Sequence, residues 1–211
     1  MLFDMDGTLT DSERLWGLAL DDIAAGLGGV ISIECRAALV GLPVRPAVDR
    51  VHEELGLRRD WRLTAAELSD RAAYYYQREM PWRPGAAELL AAVRAAGVPT
   101  ALVTATERSL VEMALDTLGR HNFDHIVTGD DVSDGKPHPE PYRQALMRLG
   151  VPATSAVAVE DSPTGVASAV AAGLTVLVVP SEVPVPAGAR RRFAESLHGV
   201  DVAFLQSLLE D

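Results

Sequence analysis

Residues 98–119 read VPTALVTATERSLVEMALDTLG, and this stretch decides the fold class. Its first part is a short apolar run, Val98 to Val103, interrupted only by Pro99 and Thr100. Its second part opens at Glu107 and sets Leu110, Val111, Ala114, Leu115 and Leu118 at helical spacing before Gly119. A short β-branched-rich run bounded by turn residues reads as a buried parallel strand. A glycine just past a periodic segment suits the left-handed residue that ends a helix.

Outward from this unit the same alternation recurs. Strand-like runs lie at His125 to Val127, Ala156 to Val159 and Thr175 to Val179. Helical segments run from Pro84-Gly85 to Gly97, from Pro139 to Leu149 before Gly150, and from Ser162 to Ala172 before Gly173. Strand and helix in alternation at this period predict an α/β fold with a doubly wound parallel sheet. Between about Ser12 and Trp82 the rhythm stops. Leu15 to Leu27, Glu34 to Val40, Pro46 to Leu55 and Thr64 to Gln77 read as helices, and Glu79 to Gly85 (EMPWRPG) as a hinge. The expected organisation is a Rossmann-like core from residues 1–11 and 83–211, with an all-helical insert over 12–82.

The 211 residues suffice for one domain plus a smaller insert. The formal net charge of -11, from 19 basic and 30 acidic side chains, argues against a nucleic-acid partner, whose phosphates need a basic surface. It argues equally against adhesion to an anionic membrane. No apolar run reaches the ~20 residues of a membrane span, and the acidic start, MLFDMD, does not read as a signal peptide. Cys35 is the sole cysteine, so no intrachain disulfide forms, and a reducing cytoplasm is the expected setting. A monomer is the default expectation. Only three residues precede Asp4, short for a buried strand, which leaves room for a few residues ahead of Met1.

In a doubly wound sheet, sites lie beyond the carboxyl ends of the strands. There the sequence sets Asp4-Met5-Asp6-Gly7-Thr8, then Thr104-Ala105-Thr106, then a loop with Lys136-Pro137, then Glu160-Asp161-Ser162. Each alone has an ordinary explanation: a turn, a helix cap, a surface lysine, a capped helix start. Together they bring four carboxylates, a lysine and hydroxyls to one crevice. Carboxylates so close repel and invite a cation. An oxygen-only set with no His or Cys cluster suits Mg²⁺ and not zinc.

These motifs resemble those of the haloacid dehalogenase superfamily of aspartate-nucleophile phosphotransferases, in the branch with a helical cap inserted after the first strand. Asp4-Met5-Asp6-Gly7-Thr8-Leu9 is similar to the family's first motif, and Thr104 in Leu102-Val103-Thr104-Ala105 to its second. Lys136 in Gly135-Lys136-Pro137-His138-Pro139 is similar to the third. Glu160-Asp161-Ser162, followed by Gly165 and Ala171-Ala172-Gly173, is similar to the fourth. Sugar-phosphate phosphatases and β-phosphoglucomutases are nearest in style. The resemblance implies a Mg²⁺-dependent phosphatase acting on a small phosphorylated metabolite, with a phosphomutase as the alternative. It implies that Asp4 attacks phosphorus to form an aspartyl-phosphate, and that Asp6 serves as acid and then base. Thr104 and backbone N–H groups near Met5, Asp6 and Ala105 would hold phosphoryl oxygens, and Lys136 would offset charge. Asp4, the Asp6 carbonyl and Asp161 would hold Mg²⁺, with Glu160 nearby or through water.

Weaker features lie in the insert. Gly41-Leu42-Pro43 falls where related caps present a substrate-facing loop, with Arg45 just beyond as a candidate substrate contact and Trp16 as another. Tyr74, Tyr75 and Tyr76 are consecutive and point different ways on a helix, which favours packing over a stacking platform. β-Phosphoglucomutases carry a histidine twelve residues beyond the nucleophile and a lysine before the cap-loop glycine; here those positions hold Trp16 and Val40, which favours water as acceptor. A dehalogenase is disfavoured because that branch lacks the second aspartate, present here as Asp6. A phosphonate-cleaving enzyme needs a cap lysine, and 12–82 contains none.

Overall fold

The structure, a computed structural model, describes every residue except Val40, Gly41, Pro43, Glu79, Glu182 and Asp211. The expectations on Val40 and on most of the Gly41-Leu42-Pro43 loop therefore fall outside the described residues. The chain begins with β1 (Leu2–Phe3) and four helices, α1 (Ser12–Gly26), α2 (Ile33–Leu39), α3 (Val44–Glu54) and α4 (Trp61–Tyr76). It continues through α5 (Ala86–Ala95), β2 (Ala101–Val103), α6 (Arg108–Leu118), β3 (His125–Val127), α7 (Glu140–Leu149), β4 (Val157–Glu160), α8 (Pro163–Ala171), β5 (Thr175–Val178), β6 (Arg191–Phe193) and α9 (Val202–Ser207).

The six strands form one sheet in the order β3-β2-β1-β4-β5-β6, and every pair is parallel. This is the α/β class expected from residues 98–119. β1 lies in the middle, with Leu2 opposite both Ala101 and Ala158. Leu2 and Phe3 are wholly buried, as a central parallel strand covered on both faces requires. From β1 the chain builds outward to β2 and β3, then returns to the other side for β4. The order reverses between β1 and β4, and that reversal opens a crevice at the strand carboxyl ends.

The helices follow local rules. α6 buries Leu110, Val111, Ala114, Leu115 and Leu118 on one stripe and stops at Gly119, whose φ is 73°. α8 starts at Ser162, whose Oγ accepts from the Gly165 N–H at 3.1 Å, with Pro163 at the first helical position.

The chain divides into two compact units, Met1–Asp11 with Pro81–Asp211, and Ser12–Met80. The division falls two residues before the Trp82 expected. Backbone pairing is the reason: the Asp11 N–H donates to the Pro81 carbonyl at 2.8 Å, and Thr10 bridges Trp82 antiparallel, so both residues stay with the sheet. Within Ser12–Met80, α4 begins three residues before Thr64 because Asp60 caps it, accepting from the Arg62 N–H at 3.0 Å. Apolar clusters among the described residues of this unit include one around Ile31, Cys35 and Val51 and another around Ala19, Val48, Leu68 and Ala72. No helix among the described residues is long and apolar enough to cross a membrane.

Candidate active site

β1 ends directly at Asp4, whose N–H still bonds to the Val159 carbonyl at 3.0 Å, so the backbone there is fixed by the sheet. The Asp4 carboxylate is buried and accepts from Lys136 Nζ at 2.6 Å. Lys136 also donates to the Val103 carbonyl at 2.9 Å and to Glu160 Oε1 at 2.7 Å. An ammonium has three N–H donors, and these three acceptors use them all. Lys136 is the chain's only lysine; every other residue in the Lys-plus-Arg total of 19 is arginine. A planar guanidinium could not satisfy three acceptors converging on one atom. The loop carrying Lys136 is tied to α8, where buried Ser168 donates to the His138 carbonyl at 2.6 Å.

Glu160, at the end of β4, is fully buried and accepts from five donors. Lys136 and Tyr142 Oη meet Oε1, each at 2.7 Å. The N–H groups of Asp161 and Ser162 and the Ser162 hydroxyl meet Oε2 at 3.2, 3.4 and 3.2 Å. A carboxylate offers about four lone-pair directions, so Glu160 is already filled. Glu160 stays among the three carboxylates able to hold a metal, as expected of a residue nearby or acting through water, while its own oxygens are committed to Lys136, Tyr142 and the start of α8. Gly165 makes the arrangement possible, since a Cβ there would overlap the Glu160 carboxylate.

Asp161 is buried next to Glu160 and accepts from the Thr8 hydroxyl at 3.4 Å. Gly7, at φ 78°, passes so close that a Cβ would overlap the Asp161 carboxylate. Carboxylate oxygens of Asp4, Glu160 and Asp161 lie within 4.8 Å of one another. Three buried carboxylates face one lysine, an excess of negative charge that favours a hard divalent cation. The oxygen-only donor set of Asp4, Glu160 and Asp161 therefore fits a divalent metal.

Asp6 is half-buried and its carboxylate lies outside that cluster. Its Oδ2 accepts from the Thr104 hydroxyl at 3.0 Å and the Thr106 hydroxyl at 2.6 Å. Thr104 in turn accepts from the Thr106 N–H at 3.0 Å. Ala105 sits between them, exposed, with Gly129 packed against its carbonyl. Sequence reasoning gave Thr106 no role, although its place in Thr104-Ala105-Thr106 was the available signal. Asp131, an acidic residue in the loop after β3, is bound to Thr128 and to the Arg108 guanidinium.

Electrostatics follow from this burial. Desolvation pushes the Asp4 carboxyl up to about 7, against the pull of Lys136. For Lys136 burial opposes the charge, but Asp4 and Glu160 together outweigh it and hold the ammonium above the ordinary lysine range. Burial, then the Glu160 charge, drives the Tyr142 phenol well above its usual value, so it remains a donor.

The candidate residues of the helical unit have local partners. Trp16 packs with Ala19, Leu68 and Ala72, and its indole N–H donates to Tyr76 Oη at 3.0 Å. Arg45 is 67% exposed, lies over the Trp61 ring at 5.5 Å and is 3.8 Å from Asp49. Tyr76 is buried, Tyr75 donates to Asp22 at 2.6 Å, and Tyr74 is exposed with Arg71 and Arg78 against its ring.

Comparison with known proteins places this geometry. The family model described as haloacid dehalogenase-like hydrolase matches residues 1–179. The chain is 36% identical to the validoxylamine A 7'-phosphate phosphatase of Streptomyces hygroscopicus subsp. limoneus, over 82% of this chain and 81% of that protein. It is 32% identical to hexitol phosphatase B of Escherichia coli K12, over 85% and 82%. Its fold superimposes on the crystal structure of CbbY from Rhodobacter sphaeroides in complex with phosphate, with a TM-score of 0.82, 31% identity and 97% of each chain covered. The motif order, the parallel sheet and these matches agree: the chain belongs to the haloacid dehalogenase-like hydrolase family.

Proposed function

We propose that the protein is a Mg²⁺-dependent phosphatase acting on a small phosphorylated metabolite, with a sugar or polyol phosphate as the substrate class. The observation that carries this is the 2.6 Å contact between Lys136 and Asp4, inside a buried acidic cluster at the sheet's switch point. A carboxylate fixed through one oxygen keeps the other for attack. Family membership and the names of both phosphatase relatives support the reading.

In the proposed reaction an Asp4 oxygen attacks phosphorus while the ester P–O bond breaks. Asp6 gives a proton to the departing oxygen. Asp6 then takes a proton from water, whose oxygen attacks phosphorus. The bond to Asp4 breaks, releasing phosphate and restoring the carboxylate. Mg²⁺, held by Asp4, Asp161 and the Asp6 carbonyl, would supply charge neutralisation for the phosphoryl oxygens. Lys136 keeps Asp4 oriented and offsets its charge. The Thr104 and Thr106 hydroxyls both donate to Asp6 Oδ2 and orient it, so either must leave Asp6 before it donates to a phosphoryl oxygen, a role proposed also for the Ala105 backbone N–H. The unit Ser12–Met80 is the proposed specificity element, with Trp16 and Arg45 as its first residues to vary. A screen of phosphorylated sugars and polyols, read as released phosphate with and without Mg²⁺, tests the reading. Release that persists in excess chelator would overturn the metal requirement, and no release from any ester would overturn the function.

A further inference from the structure

Tyr142 looks at first like plain core. It is fully buried on α7 and packs with Leu2, Val103, Val127 and Ala158. Yet its hydroxyl donates to Glu160 Oε1 at 2.7 Å, the same oxygen that accepts from Lys136 at 2.7 Å. Its ring centroid is 5.3 Å from Lys136 Nζ. One side chain thus touches both the ammonium, through its π face, and the ammonium's counter-charge, through its hydroxyl.

We infer that Tyr142 is a positioning residue for the proposed nucleophile, acting through Glu160 to keep Lys136 on Asp4. The inference rests on the reading of Asp4 given above. Lys136 is shared between two buried carboxylates at nearly equal distance, 2.6 Å to Asp4 and 2.7 Å to Glu160. A charged acceptor in a low-dielectric site pulls hardest on a donor that it does not share. The phenol takes up part of the accepting capacity of Oε1 and so weakens that pull. Without the hydroxyl, Oε1 keeps a single donor, and the ammonium shifts toward Glu160. Asp4 then loses its fixed orientation, and in-line attack depends on that orientation. Glu160 Oε2 is fastened separately by Ser162 and by the N–H groups at the start of α8, so the carboxylate itself has no room to follow. A tyrosine that only filled the core would affect stability and nothing else.

The test is Tyr142→Phe, which keeps the ring and removes the donor. Because Lys136 is the only lysine, protein carrying ¹³C,¹⁵N-lysine gives a single side-chain signal that reports this contact without turnover. The expected result is a displaced Lys136 signal, with kcat per folded molecule down about tenfold and KM changed by less than about twofold. An unmoved signal overturns the inference, and so does a displaced signal with unchanged kcat. A variant that fails to fold even with Mg²⁺ assigns the hydroxyl to stability and overturns it as well. Wild-type protein that releases no phosphate from any ester sinks the phosphatase reading alone, while the lysine signal still decides for Tyr142.

Discussion

Gly165→Ala is the substitution on which helix propensity and site geometry disagree in sign. Gly165 lies in the first turn of α8, where alanine would favour the helix by about 1 kcal/mol. The new methyl, however, would occupy the space of the Glu160 carboxylate, whose Oε1, Cδ and Oε2 are its three nearest atoms. Neither side yields easily. Gly165 is held by the Ser162 cap, and Glu160 is fully buried with five donors around it. Displacing a buried charge from its partners costs about 3–5 kcal/mol. The net expectation is a loss of about 2–4 kcal/mol, the difference between that cost and the propensity gain. For a chain of this size that lowers Tm by about 5–15 °C. Lys136 would also lose its anchor, so activity should fall with stability. The assay is thermal unfolding by circular dichroism in chelator, with turnover measured well below the transition. Gly26→Ala, at the end of α1 where an added Cβ meets nothing within 4 Å, is the matched control and should change stability by no more than about 1 kcal/mol, upward. A Gly165→Ala protein as stable as wild type, with full turnover, would refute the argument that Glu160 is locked in place.

Three further outcomes are expected. Lys136→Arg keeps the charge but not the three-way donor geometry, and should lower kcat by about a hundredfold or more; near-normal turnover would show that charge alone suffices. Metal binding should be linked to Asp4 protonation: a cation favours the ionised carboxylate, so below about 7 each bound ion displaces a proton, and apparent Mg²⁺ affinity should rise about tenfold per pH unit before levelling above that value. In chelator the sign is opposite for stability, since a carboxyl raised from 3.8 to about 7 binds its proton more tightly when folded, so its contribution declines as pH rises through that window; calorimetric titrations showing flat affinity from pH 5.5 to 8 (a range chosen to bracket about 7) count against the linkage. With β-glucose 1-phosphate and a trace of the bisphosphate, free phosphate should outrun glucose 6-phosphate, because Trp16 supplies an indole where the mutases have an imidazole; the reverse order would favour the mutase.

β1, β2, β4 and β5 were legible because each is a short, largely apolar and buried run, the simplest pattern a parallel sheet writes, and β3, a partly buried edge strand, was legible from Ile126 and Val127. β6 was not. Its Arg191-Arg192-Phe193 is half-exposed and pairs only with β5, so nothing forces an apolar pattern on it, and charge at an edge discourages further pairing. α9 is only six residues long, and its one signal was Asp201, which caps it by accepting from the Phe204 N–H at 2.7 Å. At the site, Asp4, Asp6, Thr104, Lys136, Glu160 and Asp161 stood out only together, because their order sets them all at strand ends and loops facing one crevice, while each alone reads as a turn, a cap or a surface residue. What each carboxylate does could not be read from order alone. Glu160 and Asp161 are adjacent, yet one is filled with donors and the other faces Thr8 and Gly7. That difference comes from Gly165, Ser162 and Tyr142: the first two were legible as part of a motif but not for what they do to Glu160, and Tyr142 looks like core. Arg45 was read for its charge, while the Trp61 ring it lies over comes from a different helix.

The central claim is phosphate transfer to water through Asp4. Its most direct test is the rate of phosphate release from a responsive sugar or polyol phosphate in Mg²⁺, wild type against Asp4→Asn. The account predicts steady release by wild type and a rate lower by at least on the order of a thousandfold in the variant, with the fold retained. Comparable rates from the two proteins would contradict it.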